Sequence, residues 1–207
     1  MSRNAEERLL IEGPAGPLEL VVTRGDDPTA VAVICHPHPL HGGTLHNKVV
    51  HTLMRAARDQ GASTVRFNFR GVGKSGGEHA AGQGEIDDCL AVIDWAHGHL
   101  GAEPLWLMGF SFGGYVAAAA ACRLETWPRQ LVLVGPSVER LPFGDLMPLP
   151  GPASVMMGEA DEVVASAAVF ALLEGKPGIK MVRFPDTGHF FHGRLVELKE
   201  AVEAQLD

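Results

Sequence analysis

The sequence predicts an α/β fold: a mostly parallel central sheet with helices on both faces and an antiparallel hairpin at its start. Three observations predict it. Continuous apolar runs of strand length recur, such as Ala30 to Cys35 and Leu105 to Met108. Longer stretches of helical character separate them, and the chain opens with two alternating segments around Gly13-Pro14-Ala15-Gly16-Pro17. Uniformly apolar strands suit a sheet covered on both faces, whereas alternation suits an antiparallel ribbon with one wet face.

Leu9 to Glu12 and Leu18 to Thr23 read as the opening hairpin. Ala30 to Cys35 follows as a central strand, then a glycine-containing loop and a helix from about Asn47 to Gln60, with Gly61 as its stop. Thr64 to Phe69 is the next strand. The helix Glu85 to Leu100 places Ile86, Leu90, Ile93 and Ala96 on one face, and its Glu85, Asp87 and Asp88 suit the positive end of the helix dipole. Leu105 to Met108 feeds an alanine-rich helix from Gly114 to Leu124. Strands Gln130 to Val134, Ala153 to Met157 and Ile179 to Phe184 complete the set, with helices near Val163 to Leu173 and from about Gly193 to Gln205. In such sheets the loops at the carboxyl ends of the strands carry the chemistry. The longest irregular stretch, Gly135 to Pro152, is proline-rich; it can form a flap but not a helical lid domain.

At 207 residues, 46% hydrophobic and 20% charged, residues 1–207 are expected to form a single domain. A formal charge of −8 without a lysine or arginine cluster argues against nucleic acid or an anionic membrane as partner. Cys35, Cys89 and Cys122 lack metal-ligand spacing and sit in apolar runs, so they read as buried, reduced thiols. Met1 to Arg8 hold no apolar signal region and no stretch reaches bilayer-spanning length. A cytoplasmic location is therefore expected; the oligomeric state is left open.

The pattern Gly-x-Ser-x-Gly occurs twice, at Gly73-Lys74-Ser75-Gly76-Gly77 and at Gly109-Phe110-Ser111-Phe112-Gly113. A serine on a sharp strand-to-helix turn has its hydroxyl lifted out for attack, and glycines two residues away on each side remove the side chains that would collide across the turn. Only Ser111 has a strand before it and a helix after it. A serine nucleophile needs a base and an orienting carboxylate. Later strand ends supply candidates for both: Gly158-Glu159-Ala160-Asp161-Glu162, and Pro185-Asp186-Thr187-Gly188-His189-Phe190-Phe191-His192.

The order Ser111, Asp161, His189 resembles the α/β-hydrolase superfamily over nearly the whole chain. Asn68-Phe69-Arg70-Gly71-Val72-Gly73-Lys74-Ser75 is similar to the Arg-Gly-x-Gly-x-Ser stretch of many members, and His36-Pro37-His38-Pro39 resembles the loop of small, lidless, esterase-like bacterial hydrolases. The resemblance implies that Ser111 attacks an acyl carbon, His189 moves the proton and Asp161 orients the imidazole. The oxyanion hole then takes the backbone N–H of Phe112 and a second one from the loop after Cys35; matching to the family's His-Gly-x favours His38, with Leu40 second. Asp161 fits the family's Gly-x-x-Asp loop, whereas Glu159 and Glu162 read as solvated neighbours and Asp186 as a loop-bonding residue. His192 is the alternative base.

Leu40, Phe110, Phe112, Phe143, Leu146, Met147, Phe190 and Phe191 fall on loops or turns around the serine, so an apolar acyl pocket is expected, with Phe110, Phe143, Met147 and Phe190 contacting substrate. The expected reaction is hydrolysis of a small-molecule carboxylic ester of small or medium acyl chain through an acyl-serine intermediate, with no cofactor and no metal. Two other classes remain open. His36, His38 and His41 have the His-x-His-x-Asp-His spacing of a metallohydrolase, although Leu40 occupies the aspartate position. A hydrolase-like scaffold can also serve as a binding module alone. A phosphate-loop reading of Gly71 to Ser75 fails because Asn68 stands where that pattern needs glycine.

Overall fold

The computed structural model describes residues 5–25, 30–101 and 104–206. Two antiparallel strands, β1 (Glu6–Gly13) and β2 (Gly16–Thr23), form the expected hairpin. Strand β3 (Val31–Cys35), helix α1 (Lys48–Asp59) and strand β4 (Ser63–Phe67) follow, then helix α2 (Gln83–Leu100). Ser111 lies between β5 (Leu105–Phe110) and α3 (Phe112–Ala121). After β6 (Gln130–Val134) come β7 (Ala153–Gly158), α4 (Ser166–Leu173), β8 (Ile179–Phe184) and α5 (Leu195–Glu203). One eight-stranded sheet runs β1-β2-β4-β3-β5-β6-β7-β8. All pairs beyond the β2–β4 junction are parallel.

Period-two alternation sorts the strand residues onto two cores. Val31, Val33, Leu105, Leu107, Leu131 and Leu133 pack with α2, α3 and α4, while Ala32, Ile34, Trp106, Met108, Val132 and Val134 pack with α1 and α5. Two caps set where helices begin. Asn47 accepts at its side-chain oxygen from the N–H groups of Val49 and Val50, which starts α1. Glu85 is fully buried and accepts from Ala80 and Gly82 N–H, so α2 begins at Gln83, two residues before the expected Glu85.

The region expected to open α4 at Val163 behaves differently. The N–H groups of Val163 and Val164 both donate to Asp161 Oδ1 at 2.8 Å, which forms a turn, and α4 starts only at Ser166. The stretch 135–152 contains a single 3-10 turn, Phe143–Leu146, and no lid domain. No helix among the described residues is long and apolar enough to cross a membrane.

Candidate active site

Ser111 stands between β5 and α3 at φ 57 and ψ −117, a backbone region that costs a non-glycine residue on the order of 1–3 kcal/mol. The turn is held by Ser111 N–H to Val134 O at 2.9 Å and by Gly114 and Ser137 N–H to Ser111 O at 2.9 and 3.2 Å. It is also sterically exclusive. A Cβ on Gly109 would lie 2.0 Å from Gly113 O, and one on Gly113 would lie 2.4 Å from Cys35 O, so α3 starts directly against the ends of β5 and β3. The Ser111 hydroxyl is not used to cap the helix and faces the cleft. Ser75 is the contrary case: its Oγ donates to Asn68 O at 2.6 Å and accepts from Glu19 N–H at 2.9 Å, so it pins the second loop to β2. Arg70 anchors the same loop through a multidentate pair with buried Asp88.

His189 and Asp161 meet across two strand ends. His189 Nδ1 is 2.6 Å from Asp161 Oδ2, and both side chains are at most 2% exposed. With Asp161 accepting from Nδ1–H, the neutral ring keeps its lone pair at Nε2. Asp161 is fixed in turn by the two N–H groups on its other oxygen. Gly135 forms the floor beneath the pair, since a Cβ there would sit 3.4 Å from Asp161 Oδ2 and from the His189 ring. Its neighbour Val134 holds Ser111 N–H, so Ser111 and the Asp161–His189 pair both lie at the carboxyl ends of β5 to β8.

Glu162 is exposed, as expected of a solvated neighbour, and its Oε2 also accepts from His189 N–H at 3.1 Å, which holds that backbone in place. Glu159 is exposed and pairs with Arg183. Asp186 sits at φ 50 in an exposed turn, and His192 is exposed.

The loop after β3 separates the three histidines chemically. His36 is fully buried; its Nε2 accepts from Phe69 N–H at 3.1 Å, which leaves Nδ1 to donate to Pro37 O at 2.6 Å. Both its nitrogens are committed, and burial lowers its pKa to about 4. His38 stacks on His41 at 4.4 Å and lies 4.9 Å from the Phe112 ring. Among the described residues no group of three histidine, cysteine, aspartate or glutamate side chains converges as a metal site, so His36, His38 and His41 do not act together as the metallohydrolase spacing would require. Of the two residues expected to give the second oxyanion donor, Leu40 has its N–H engaged with His38 Nδ1 at 3.2 Å.

The cleft is lined by other residues than expected. The cleft at Ser111 has a volume of about 110 Å³ and is walled by His38, His41, Phe112, the segment Ser137 to Leu141, and Val163 with Val164. Phe110 extends β5 and points with Trp106 and Met108 into the α1–α5 core, where its ring backs His189 at 4.8 Å. Phe143 is fully buried against Tyr115, and Met147 is half-buried against the same core. Phe190 is exposed and stands edge-on to His189, outside the cleft walls. Glu139 and Arg140, which the sequence reading passed over, line the cleft instead.

The family model of the α/β-hydrolase fold matches residues 40–154. The chain belongs to the α/β-hydrolase family. This α/β hydrolase is 40% identical to a lidless α/β serine hydrolase from Xanthomonas campestris, with a TM-score of 0.91 over 100% of this chain and 95% of that one. An α/β serine hydrolase homologue from Coxiella burnetii is 43% identical, with a TM-score of 0.92 over 97% of each chain. An uncharacterised protein of Rickettsia prowazekii is 30% identical over 96% of this chain and 88% of its own length. The protein is thus a small α/β hydrolase without a lid domain.

Proposed function

We propose that this α/β hydrolase is a serine esterase that cleaves carboxylic esters of short acyl chain through an acyl-serine intermediate. The observation that carries the reading is the buried His189–Asp161 contact of 2.6 Å beside a serine held on a strained elbow. Ser111 Oγ attacks the acyl carbon while His189 Nε2 takes its proton. The tetrahedral oxyanion is held by Phe112 N–H at the start of α3 and by His38 N–H. Collapse breaks the bond to the leaving alkoxide, which leaves with the proton from His189. A water molecule then repeats the sequence on the acyl-serine, releasing the carboxylic acid and regenerating the serine. Asp161 keeps the imidazole in the correct tautomer and stabilises the imidazolium. The cleft volume of about 110 Å³ favours an acyl group of a few carbons.

The test combines p-nitrophenyl esters with labelling by a fluorophosphonate. Ser111→Ala is expected to abolish both turnover and labelling. Asp161→Asn should lower kcat by about 10⁴, as loss of the orienting carboxylate does in triad enzymes. Asp186→Asn should keep the parental rate, since asparagine also tolerates a positive φ. Labelling that survives in Ser111→Ala overturns the nucleophile.

A further inference from the structure

The cleft beside Ser111 carries one acid and one guanidinium on neighbouring residues, Glu139 and Arg140. Arg140 is the one lysine or arginine among its lining residues, and its guanidinium has no ion-pair partner among the described residues. His38 and His41, stacked at 4.4 Å, line the same cleft, with the His79 ring 5.0 Å from His38. Because Leu40 N–H donates to His38 Nδ1, the neutral His38 ring carries its proton on Nε2 and offers an N–H donor. Burial first, and then His41, His79 and Arg140, hold its pKa below the ordinary histidine value, and the buried Glu85 opposes them. His79 itself stands 2.8 Å from Glu85 Oε1 without a hydrogen bond at Nδ1, and Glu85 is fully buried and not among the residues that line the cleft. Glu139 is the acid on the cleft wall.

We propose that Arg140, with the His38 and His41 rings in the same cleft, forms a subsite for a carboxylate carried by the acyl group, so that the preferred substrate is a half-ester of a short dicarboxylic acid. The inference rests on the esterase reading and names its substrate class. A guanidinium meets a carboxylate through two parallel N–H donors, which fixes direction as well as charge. Glu139 beside Arg140 penalises a dianion, which selects a carboxylate over a phosphate or phosphonate. The small cleft limits the spacer between ester and carboxylate to a few atoms.

Three p-nitrophenyl esters of matched size test this: the hemisuccinate, its neutral isostere the isocaproate, and the phosphonopropanoate. The parent protein should prefer the hemisuccinate, and Arg140→Gln should lower the ratio of kcat/KM for hemisuccinate over isocaproate roughly tenfold, mainly through KM, with Arg140→Lys in between. Equal ratios in parent and Arg140→Gln overturn the subsite, as does a parental preference for the isocaproate. A preference for the phosphonate that is lost in Arg140→Gln overturns the carboxylate assignment. Hemisuccinate binding to Ser111→Ala, measured by calorimetry, separates this inference from the reaction: binding lost in Ser111→Ala/Arg140→Gln supports the subsite even where turnover fails, and unchanged binding overturns it. Turnover of none of the three esters, with no fluorophosphonate labelling, overturns the esterase reading instead.

Discussion

His36 lies fully buried where β3 ends, accepting from Phe69 N–H and donating to Pro37 O, and burial lowers its pKa to about 4. In the unfolded chain the ring titrates near 6.5, so between these values the unfolded state binds more protons and stability falls as pH drops. The loss is complete below about pH 4 and is on the order of 3 kcal/mol. His36→Gln, which keeps an acceptor for Phe69 N–H, should flatten the difference in thermal midpoint between pH 4 and pH 7. A parental slope in that variant would place the acid sensitivity elsewhere. The same residue marks what the sequence could not tell: His36, His38 and His41 look alike in a string, and only the return of β4 beside β3 gives the first of them a backbone partner. The Ser111 turn and the Asp161–His189 contact were legible because each of these residues follows a strand with a distinctive glycine nearby. Arg140 was not, since its stretch has no period and its place is set by tertiary contacts.

At the level of elements, α3 is positioned by absence of side chains. A Cβ on Gly113 would lie 2.4 and 2.5 Å from Cys35 and His36 carbonyl oxygens, which are backbone and cannot swing away. Gly113→Ala should therefore cost about 3 kcal/mol or more and lower the thermal midpoint by roughly 6–12 °C. Gly98 gives the opposite case within α2: nothing lies within 4 Å of its added Cβ. Gly98→Ala should raise the midpoint by about 1–4 °C, because alanine loses less backbone entropy on entering a helix. Thermal unfolding of the two variants checks both signs. Strand and helix existence was readable from apolar runs, but two helix starts moved, α2 because buried Glu85 caps it and α4 because Asp161 takes the N–H groups of Val163 and Val164. Phe110 shows the cost of ending a strand early: with β5 extended to residue 110, alternation alone sends its ring into the core.

At the scale of the whole molecule, the sheet order places β3 and β5 side by side in the middle, and the two thiols nearest that centre meet there. Cys35 Sγ, at the end of β3, is 3.5 Å from Cys89 Sγ on α2, with both side chains fully buried. Burial, with Cys89 beside it, holds the Cys35 thiol well above its ordinary pKa, so it stays protonated and unreactive while the fold is closed. Cys122, at the end of α3, is only partly covered. The protein thus carries its own clock for opening. A maleimide should modify Cys122 in the native state, whereas Cys35 and Cys89 should label together and only as fast as the molecule unfolds. If either labels as quickly as Cys122, the region under the nucleophile breathes independently of the rest. Read by mass spectrometry, the interval between the first adduct and the next two times the lifetime of the closed core, without any added probe site.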